Sequence, residues 1–364
     1  MKFGNKITRR DFLKLGGLAV GAALLPVSLQ NKSVYKPVQQ YPDGASLGRV
    51  CAGDIGAWME IKTEPNMRAP VAKTVFRDDI LVVKREVIAN VLDLDRYNQR
   101  WVETPDGYIY SPLVQPVKNH INVPLTDLPV NPNGERGMWI EITVPILDIE
   151  VDRGPAASFW IKEVVRPRVY YSQIFWAYDI RQKDGKTQYL LMEKYGALPD
   201  SYWVDATGCR PLTEADTAPI NPDVGEKRIV IDLRYQTLHC FEGSREVYFC
   251  EISSGGKVDG EWLTPIGEHI IWRKLVSLHM SAGGLWGFDA PGIGWTTLFD
   301  SHGAAIHSAY WHNNFGTPLS HGCVNCLPHD AKWIWRWTNP IVNYYPGELT
   351  VTDVSNSTHV IVNV

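Results

Sequence analysis

Two short stretches toward the C-terminal end of the 364-residue chain hold its densest set of reactive side chains. They are Ile306-His307-Ser308 and Pro318-Leu319-Ser320-His321-Gly322-Cys323-Val324-Asn325. A thiol attacks a carbonyl only as its thiolate, and at neutral pH it needs a base or a cation beside it. Two histidines, His307 and His321, lie within reach of Cys323 along the chain. Gly322 opens backbone conformations closed to other residues, which is useful where a peptide N–H must face a developing oxyanion. These residue types spell nucleophilic acyl transfer. A second chemistry competes with it. His321, Cys323, Cys326 and His329 form H-x-C-x2-C-x2-H, a thiolate–imidazole pattern of the kind that binds metal, but all four ligands are crowded into nine residues. His302, His312 and His329 otherwise read as structural or solvent-facing.

The elements that must position these residues read mainly as strands. Residues 228–233 and 237–241 lead to a turn at Gly243-Ser244, and 246–252 return as the second arm of a hairpin. With Glu242 paired to Arg245, Cys240 faces Val247 and Cys250 faces Thr237. The two cysteines then fall on opposite faces, which disfavours a bridge between them unless a bulge shifts the register. A helix is expected over 328–337, too aromatic for a surface helix. Upstream, 73–76 and 80–83 flank Asp78-Asp79, and 100–103 and 107–110 flank Pro105-Asp106. Short strands at this spacing predict a small barrel. Residues 139–144 and 188–193 alternate at period two, with Asp184-Gly185 as a hairpin turn signal.

Composition narrows the class. The chain is 45% hydrophobic and 21% charged, which excludes wholesale disorder, and its 30 Gly and 24 Pro favour many turns and hence β-structure. The net charge of −4 is unevenly placed. Residues 1–30 carry Lys2, Lys6, Arg9, Arg10 and Lys14 against Asp11 alone, so the remainder is at −8. That balance argues against a nucleic-acid binder, whose affinity rests on phosphate neutralisation. Six cysteines are too few for a disulfide scaffold of this size. Cys51 and Cys209 lie in separate modules, with nothing to support a bridge between them.

Residues 15–29 form an apolar run of about 15 residues behind the basic front, short of the ~20 that span a bilayer. A basic front and a short apolar core read as an export signal. Thr8-Arg9-Arg10-Asp11-Phe12-Leu13-Lys14 resembles a twin-arginine (Tat) signal, and Gly16, Gly17 and Gly21 keep the run mild. Pro26-Val27-Ser28 is the nearest small-residue stretch for cleavage; the alternative is an uncleaved membrane anchor through 15–29. The expected destination is the periplasm, the cell wall or the outer face of the cytoplasmic membrane.

The S-H-G-C-V-N element with an upstream histidine resembles the signature of the L,D-transpeptidases, the YkuD-type catalytic domain. Other parts of that family's pattern follow in order: the hairpin at 229–241, Ser253-Ser254-Gly255-Gly256, and Thr264-Pro265-Ile266-Gly267 with a strand at 268–272. The resemblance covers about 227–354. It implies a mainly β fold, a sandwich or barrel of L,D-transpeptidase type with few short helices. It makes Cys323 the nucleophile and His307 the general base and acid. Ser320, His321, Gly322 and Asn325 would shape the loop, with the Gly322 and Cys323 N–H groups as oxyanion donors, and Ser308 would sit beside the base and orient it. Two departures stand out: only twelve residues separate His307 from Ser320, and Cys326 stands where the family has an apolar residue.

The implied reaction is acyl transfer between peptidoglycan stem peptides, donor and acceptor, with release of D-alanine and formation of a 3→3 cross-link. Water as acceptor would give an L,D-carboxypeptidase, and a protein amine would give wall-protein attachment. No metal or organic cofactor is implied, and carbapenem β-lactams are the expected covalent inhibitors. A non-catalytic wall-binding protein is the rival from another class. The order at 100–111 resembles a bacterial Src-homology-type module. The expected layout is a signal or anchor at 1–30, a linker at 31–45, a small β-barrel at 46–118, a second β-rich module or N-terminal extension at 119–222, the catalytic domain at 227–354 and a tail at 355–364.

Overall fold

The computed structural model describes residues 38, 41–42, 44–51, 57–131, 133–153, 156–158, 161, 167–196, 200–282 and 288–364. The signal or anchor read at 1–30 lies outside the described residues, as does most of the linker at 31–45. Among the described residues no helix is long and apolar enough to cross a membrane.

The C-terminal half is a β-sandwich of two five-stranded sheets. One has the order Arg245–Glu251, Thr237–Glu242, Lys227–Asp232, His359–Asn363, Gly267–Ile270. The other runs Val324–Cys326, Ala305–Ser308, Phe288–Leu298, Arg273–Ala282, Glu348–Thr350. Period-two alternation in Lys227–Asp232 sends Ile229 and Ile231 inward, where they meet Leu238, Val360, Val362, Ile306 and Val324 in one core. The helix Pro328–Trp337 starts on Pro328, whose fixed φ suits a first turn. It carries Asp330 early and Arg336 late, as its dipole favours. Ala331, Ile334, Trp335 and Trp337 join the same core, which is why so aromatic a helix is stable here. Burying side chains of this size stabilises the fold by roughly 1.5–3 kcal/mol each.

Two expectations need correction. Residues 355–364 are not a tail: His359–Asn363 is an interior strand, parallel to Lys227–Asp232 and antiparallel to Gly267–Ile270. Its alternating Val360 and Val362 are fully buried, which anchors it in the sheet. The hairpin register also differs from the uniform one. Glu242 pairs with Arg245 as expected, but an irregularity between Cys240 and Phe241 then places Cys240 opposite Tyr248 and Cys250 opposite Leu238. Both cysteines therefore lie buried on the core face, as free thiols, together with Cys326.

Residues 138–211 form a six-stranded sheet, ordered Glu150–Val151, Ser201–Asp205, Lys186–Met192, Ile174–Lys183, Met138–Ile142, Cys209–Pro211. One face closes a core of its own, with Ile140, Ile142, Phe175, Tyr189 and Tyr202. The other face turns Trp139, Ile174 and Trp176 into the core of the sandwich, and the Trp139 indole N–H donates to Tyr344 O at 3.0 Å. This region therefore shares its core with the C-terminal half and extends it. Residues 46–117 build two smaller sheets around Val50, Ile61, Val75, Leu81, Val102 and Ile109.

Candidate active site

The strands Ala305–Ser308 and Val324–Cys326 run parallel and adjacent, pairing Ile306 with Val324, His307 with Asn325 and Ser308 with Cys326. Alternation decides what each face carries. Ile306, Val324 and Cys326 enter the core. His307 and Asn325 take the opposite face, and Cys323, two residues before Asn325, joins them. All three line one cavity of about 1160 Å³, together with Ser320, His321 and Gly322. The sequence-predicted residues thus converge, with Ser308 the exception. It lies on the core side, and its hydroxyl is buried with no hydrogen-bond partner. The Ser308 backbone carbonyl, not the hydroxyl, meets the His307 ring.

The His307 ring is buried, with Nδ1 3.0 Å from Ser308 O. A carbonyl only accepts, so Nδ1 carries the proton and Nε2 keeps its lone pair. Burial pushes the His307 pKa down to about 4, against a smaller opposing effect of the Ser308 hydrogen bond. Cys323 is half-buried, and its thiol donates to Gly303 O at 3.8 Å. Burial raises its pKa to about 11, offset in part by the Ala305 backbone N–H. The resting pair is a neutral imidazole and a neutral thiol, and no hydrogen bond joins them in this state.

The loop that carries Cys323 is held from three sides. Ser320 Oγ donates to Cys323 O at 2.5 Å and accepts from Gly322 N at 3.1 Å. The Gly322 amide is therefore spent inside the loop, and of the two amides expected to face an oxyanion, the Cys323 N–H is the one left for it. Gly322 has φ +142°, in the region that favours glycine. Thr264 Oγ1 donates to Gly322 O at 2.9 Å and accepts from Gly255 N at 2.7 Å. A Cβ on Gly255 would stand 2.9 Å from Gly322 Cα, so a larger residue there would displace the loop. Leu319 N and Ser320 N both donate to Ser254 O, at 2.9 and 3.0 Å. The Ser254 N–H in turn reaches Gln236 Oε1 at 2.8 Å. The S-S-G-G and T-P-x-G segments are thus the frame of the Cys323 loop.

His312 is half-buried on the cavity wall. Asn314 N donates to its Nδ1 at 3.2 Å, and its Nε2 lies 2.9 Å from the Asn325 side-chain amide. A neutral imidazole accepts at one nitrogen only, so Nε2 carries the proton and Asn325 presents Oδ1 to it. Burial and the neighbouring His307 lower the His312 pKa to about 4. His321 is exposed, and its ring stacks on Phe288 with centroids 5.8 Å apart.

The metal pattern does not assemble. His321 is on the cavity rim, Cys326 is in the core and the His329 side chain is 74% exposed. Among the described residues no group of three or more His, Cys, Asp or Glu is placed to hold a metal. Cys323 and Cys326, three apart along extended chain, point to opposite sides of the sheet. Sequence reasoning missed other residues of the cavity, among them His279 with Asp289, and Arg49 with Arg77. Their spacing along the chain carries no motif.

Residues 226–361 match the L,D-transpeptidase catalytic domain, YkuD. No curated protein matches the chain. Among solved structures, a mutant of the Enterococcus faecium L,D-transpeptidase is 20% identical at a TM-score of 0.30, covering 42% of this chain and 55% of that one. An L,D-transpeptidase from Mycobacterium smegmatis is 14% identical at a TM-score of 0.31, covering 60% of this chain and 99% of that one. An L,D-transpeptidase from Mycobacterium tuberculosis is 14% identical at a TM-score of 0.29, covering 68% and 95%. The chain thus spans little more than half the length of the E. faecium structure. Cys323, His307 and the loop that holds them all fall inside the L,D-transpeptidase domain match.

Proposed function

We propose that the chain is a cysteine-dependent L,D-transpeptidase acting on peptidoglycan stem peptides. The observation that carries this reading is the placement of Cys323 and His307 on one cavity face of adjacent parallel strands, with the His307 tautomer set by Ser308 O. As Cys323 Sγ leaves Gly303 O and attacks the carbonyl of the L-centred third residue, His307 Nε2 takes the thiol proton. The carbonyl electrons move onto oxygen, beside the Cys323 N–H. Collapse of that intermediate expels the terminal D-alanine, whose nitrogen receives the proton from His307, and leaves a thioester. An amine of a second stem then attacks the thioester, passing its proton to His307, and Cys323 departs and is reprotonated. The product is a 3→3 cross-link. No step calls on a metal or organic cofactor.

The basic front and the mild apolar run at 1–30 support export by the twin-arginine route, to where stem peptides are found. Incubation of the purified protein with a tetrapeptide stem, followed by mass spectrometry, tests the reading. D-alanine release with dimer formation is expected. Tripeptide alone would assign an L,D-carboxypeptidase using the same acyl-enzyme, and a stem joined to a protein amine would assign wall-protein attachment. No reaction on any stem would overturn the proposal. A carbapenem should add its mass to the protein through Cys323, since a strained β-lactam carbonyl meets the same thiol.

A further inference from the structure

The segment 309–313 follows the strand Ala305–Ser308 and carries Tyr310, Trp311 and His312 along the wall of the Cys323 cavity. Several of its bonds cross to the small sheets at 46–117, which lie outside the L,D-transpeptidase match at 226–361. Arg49 Nη2 donates to Tyr310 O. Asn313 N donates to Pro112 O at 3.2 Å, and Asn313 Nδ2 donates to Ser111 O at 3.2 Å. The turn that follows is backed in the same way: a Cβ on Gly316 would stand 2.9 Å from the Tyr97 ring.

Arg49 is 1% exposed. Its Nη1 donates to Asp78 Oδ1 at 2.8 Å, and its Nε and Nη2 donate to Gln115 Oε1 at 3.1 and 2.8 Å. Its guanidinium lies 4.0 Å from the centroid of the Tyr170 ring. With its charge on Asp78 and its N–H groups engaged by Gln115 and Tyr310, Arg49 is a fixed strut rather than a group offered to a ligand. Ring contacts carry that placement inward. Tyr170 stacks on Tyr310 with centroids 5.9 Å apart, Tyr310 meets Trp311 edge to face at 5.0 Å, and Trp311 lies tilted against His307 at 5.9 Å. Among the described residues a single hydrogen bond, through Nδ1 to Ser308 O, holds the His307 ring. One bond leaves a ring free to swing about it, so the Trp311 ring beside it limits where Nε2 points.

We propose that Arg49 is a positioning residue for the base: it fixes Tyr310 O and the Tyr170 ring, and through Tyr310 and Trp311 it holds the His307 ring in place. The small sheets at 46–117 then belong to the machinery of the reaction. The inference rests on the transpeptidase reading and extends it to a residue some 260 positions from the base.

Two variants of the full chain test it. Arg49→Met combined with Asp78→Asn removes the strut without stranding a buried carboxylate, and Asn313→Ala loosens the same segment from Ser111 with no charge involved. On a tetrapeptide stem the double variant should lose about tenfold or more in kcat with KM within about twofold, and Asn313→Ala should show a smaller loss of the same kind. Iodoacetamide alkylation of Cys323, which needs no base, should match the parent. A second readout does not depend on turnover. Burial is what holds the His307 imidazole down, so by NMR its ring should stay neutral to about pH 5 in the parent and gain its proton between about pH 5 and 7 in the double variant, as water reaches it. Cys323 and His312 are the titratable groups facing it on the cavity wall, and both rings are followed together. A rise in KM with kcat unchanged would make Arg49 a substrate contact and overturn the positioning role. Parental kcat and a parental His307 titration in the folded double variant would overturn it too; if that variant does not fold, parental values in Asn313→Ala do so. A parent that turns over no stem, but whose His307 titration moves in the double variant, keeps the positioning role and overturns the transpeptidase reading. A parent without turnover and an unmoved titration overturns both.

Discussion

At Cys323 burial lifts the thiol to about 11, and at His307 it drops the imidazole to about 4. Between those values neither group is charged at rest, so under the proposed mechanism the thiolate is generated during attack. Two pH dependences follow. Below its pKa the thiolate fraction grows with pH, so iodoacetamide alkylation of Cys323 should accelerate about tenfold per unit from pH 7 to 9. A rate already level by pH 6 would mean a pre-formed thiolate–imidazolium pair instead. The proposed mechanism needs His307 neutral to accept the proton, so the acid limb of kcat/KM should fall near pH 4 and not near the usual imidazole value. Cys323→Ala should abolish carbapenem acylation with the thermal midpoint within a degree or two of the parent, since a half-buried Sγ fills little core volume. Ser308→Ala separates backbone from side chain. Because the Ser308 carbonyl orients His307 and its hydroxyl is unpartnered, acylation should stay within about threefold of the parent. A loss of a hundredfold would restore a role to the hydroxyl.

Under the proposed mechanism, the loop and the segments that frame it set how accurately Cys323 is aimed. Thr264 Oγ1 joins Gly255 N–H to the Gly322 carbonyl, all of them buried or next to the loop. Thr264→Val keeps the shape and removes both bonds, leaving a buried donor and acceptor unpaired at about 1–3 kcal/mol each. The thermal midpoint should fall by several degrees and the acylation rate by about tenfold or more, because the loop's aim relaxes. An unaltered rate in a folded Thr264→Val protein would mean that Ser254 and Ser320 hold the loop without it. Much of this element level is readable from the residues alone. The helix Pro328–Trp337 carries its own start and aromatic stripe, and the strands around Asp78-Asp79 and Pro105-Asp106 carry their turns. Contacts between distant segments are not readable in that way. T-P-x-G names a motif, but only the fold brings Thr264 to Gly322. The register slip opposite Cys240 is a local backbone event with no residue signal, and it reverses which face the Cys250 thiol takes. The strand His359–Asn363 is too short and too near the end to announce that one partner lies some 130 residues upstream and the other some 90.

At the scale of the molecule, the cavity that holds Cys323 depends on regions that the sequence reads as separate modules or, for 119–222, as a module or an N-terminal extension of the catalytic domain. Alternation in 139–144 is legible, but it does not say what covers each face. In the fold, Trp139 and Trp176 pack edge to face, with centroids 5.3 Å apart, and both belong to the core that holds Ile306 and Val324. The sheet at 138–211 also bonds the strand that forms the cavity wall: Ser277 Oγ donates to Ile174 O at 2.6 Å, and Gln173 Nε2 donates to Pro291 O at 2.6 Å. If this region were an independent module, cutting it away would leave the L,D-transpeptidase domain intact. The shared core predicts otherwise. Residues 226–364 expressed alone would expose the surface that Trp139, Ile174 and Trp176 cover, so they should aggregate or unfold at markedly lower urea than the full chain. In the full chain, Trp139→Ala should cost about 3–5 kcal/mol, the range for removing a buried aromatic ring. The loss should appear in the unfolding of residues 138–364 as one transition, followed by urea titration with Trp fluorescence and with carbapenem acylation as separate probes. Coincident midpoints, both shifted down, are the expected result. Acylation that persists beyond the fluorescence transition would show that the sandwich keeps its fold without the sheet at 138–211, and would return that sheet to the status of a separate module.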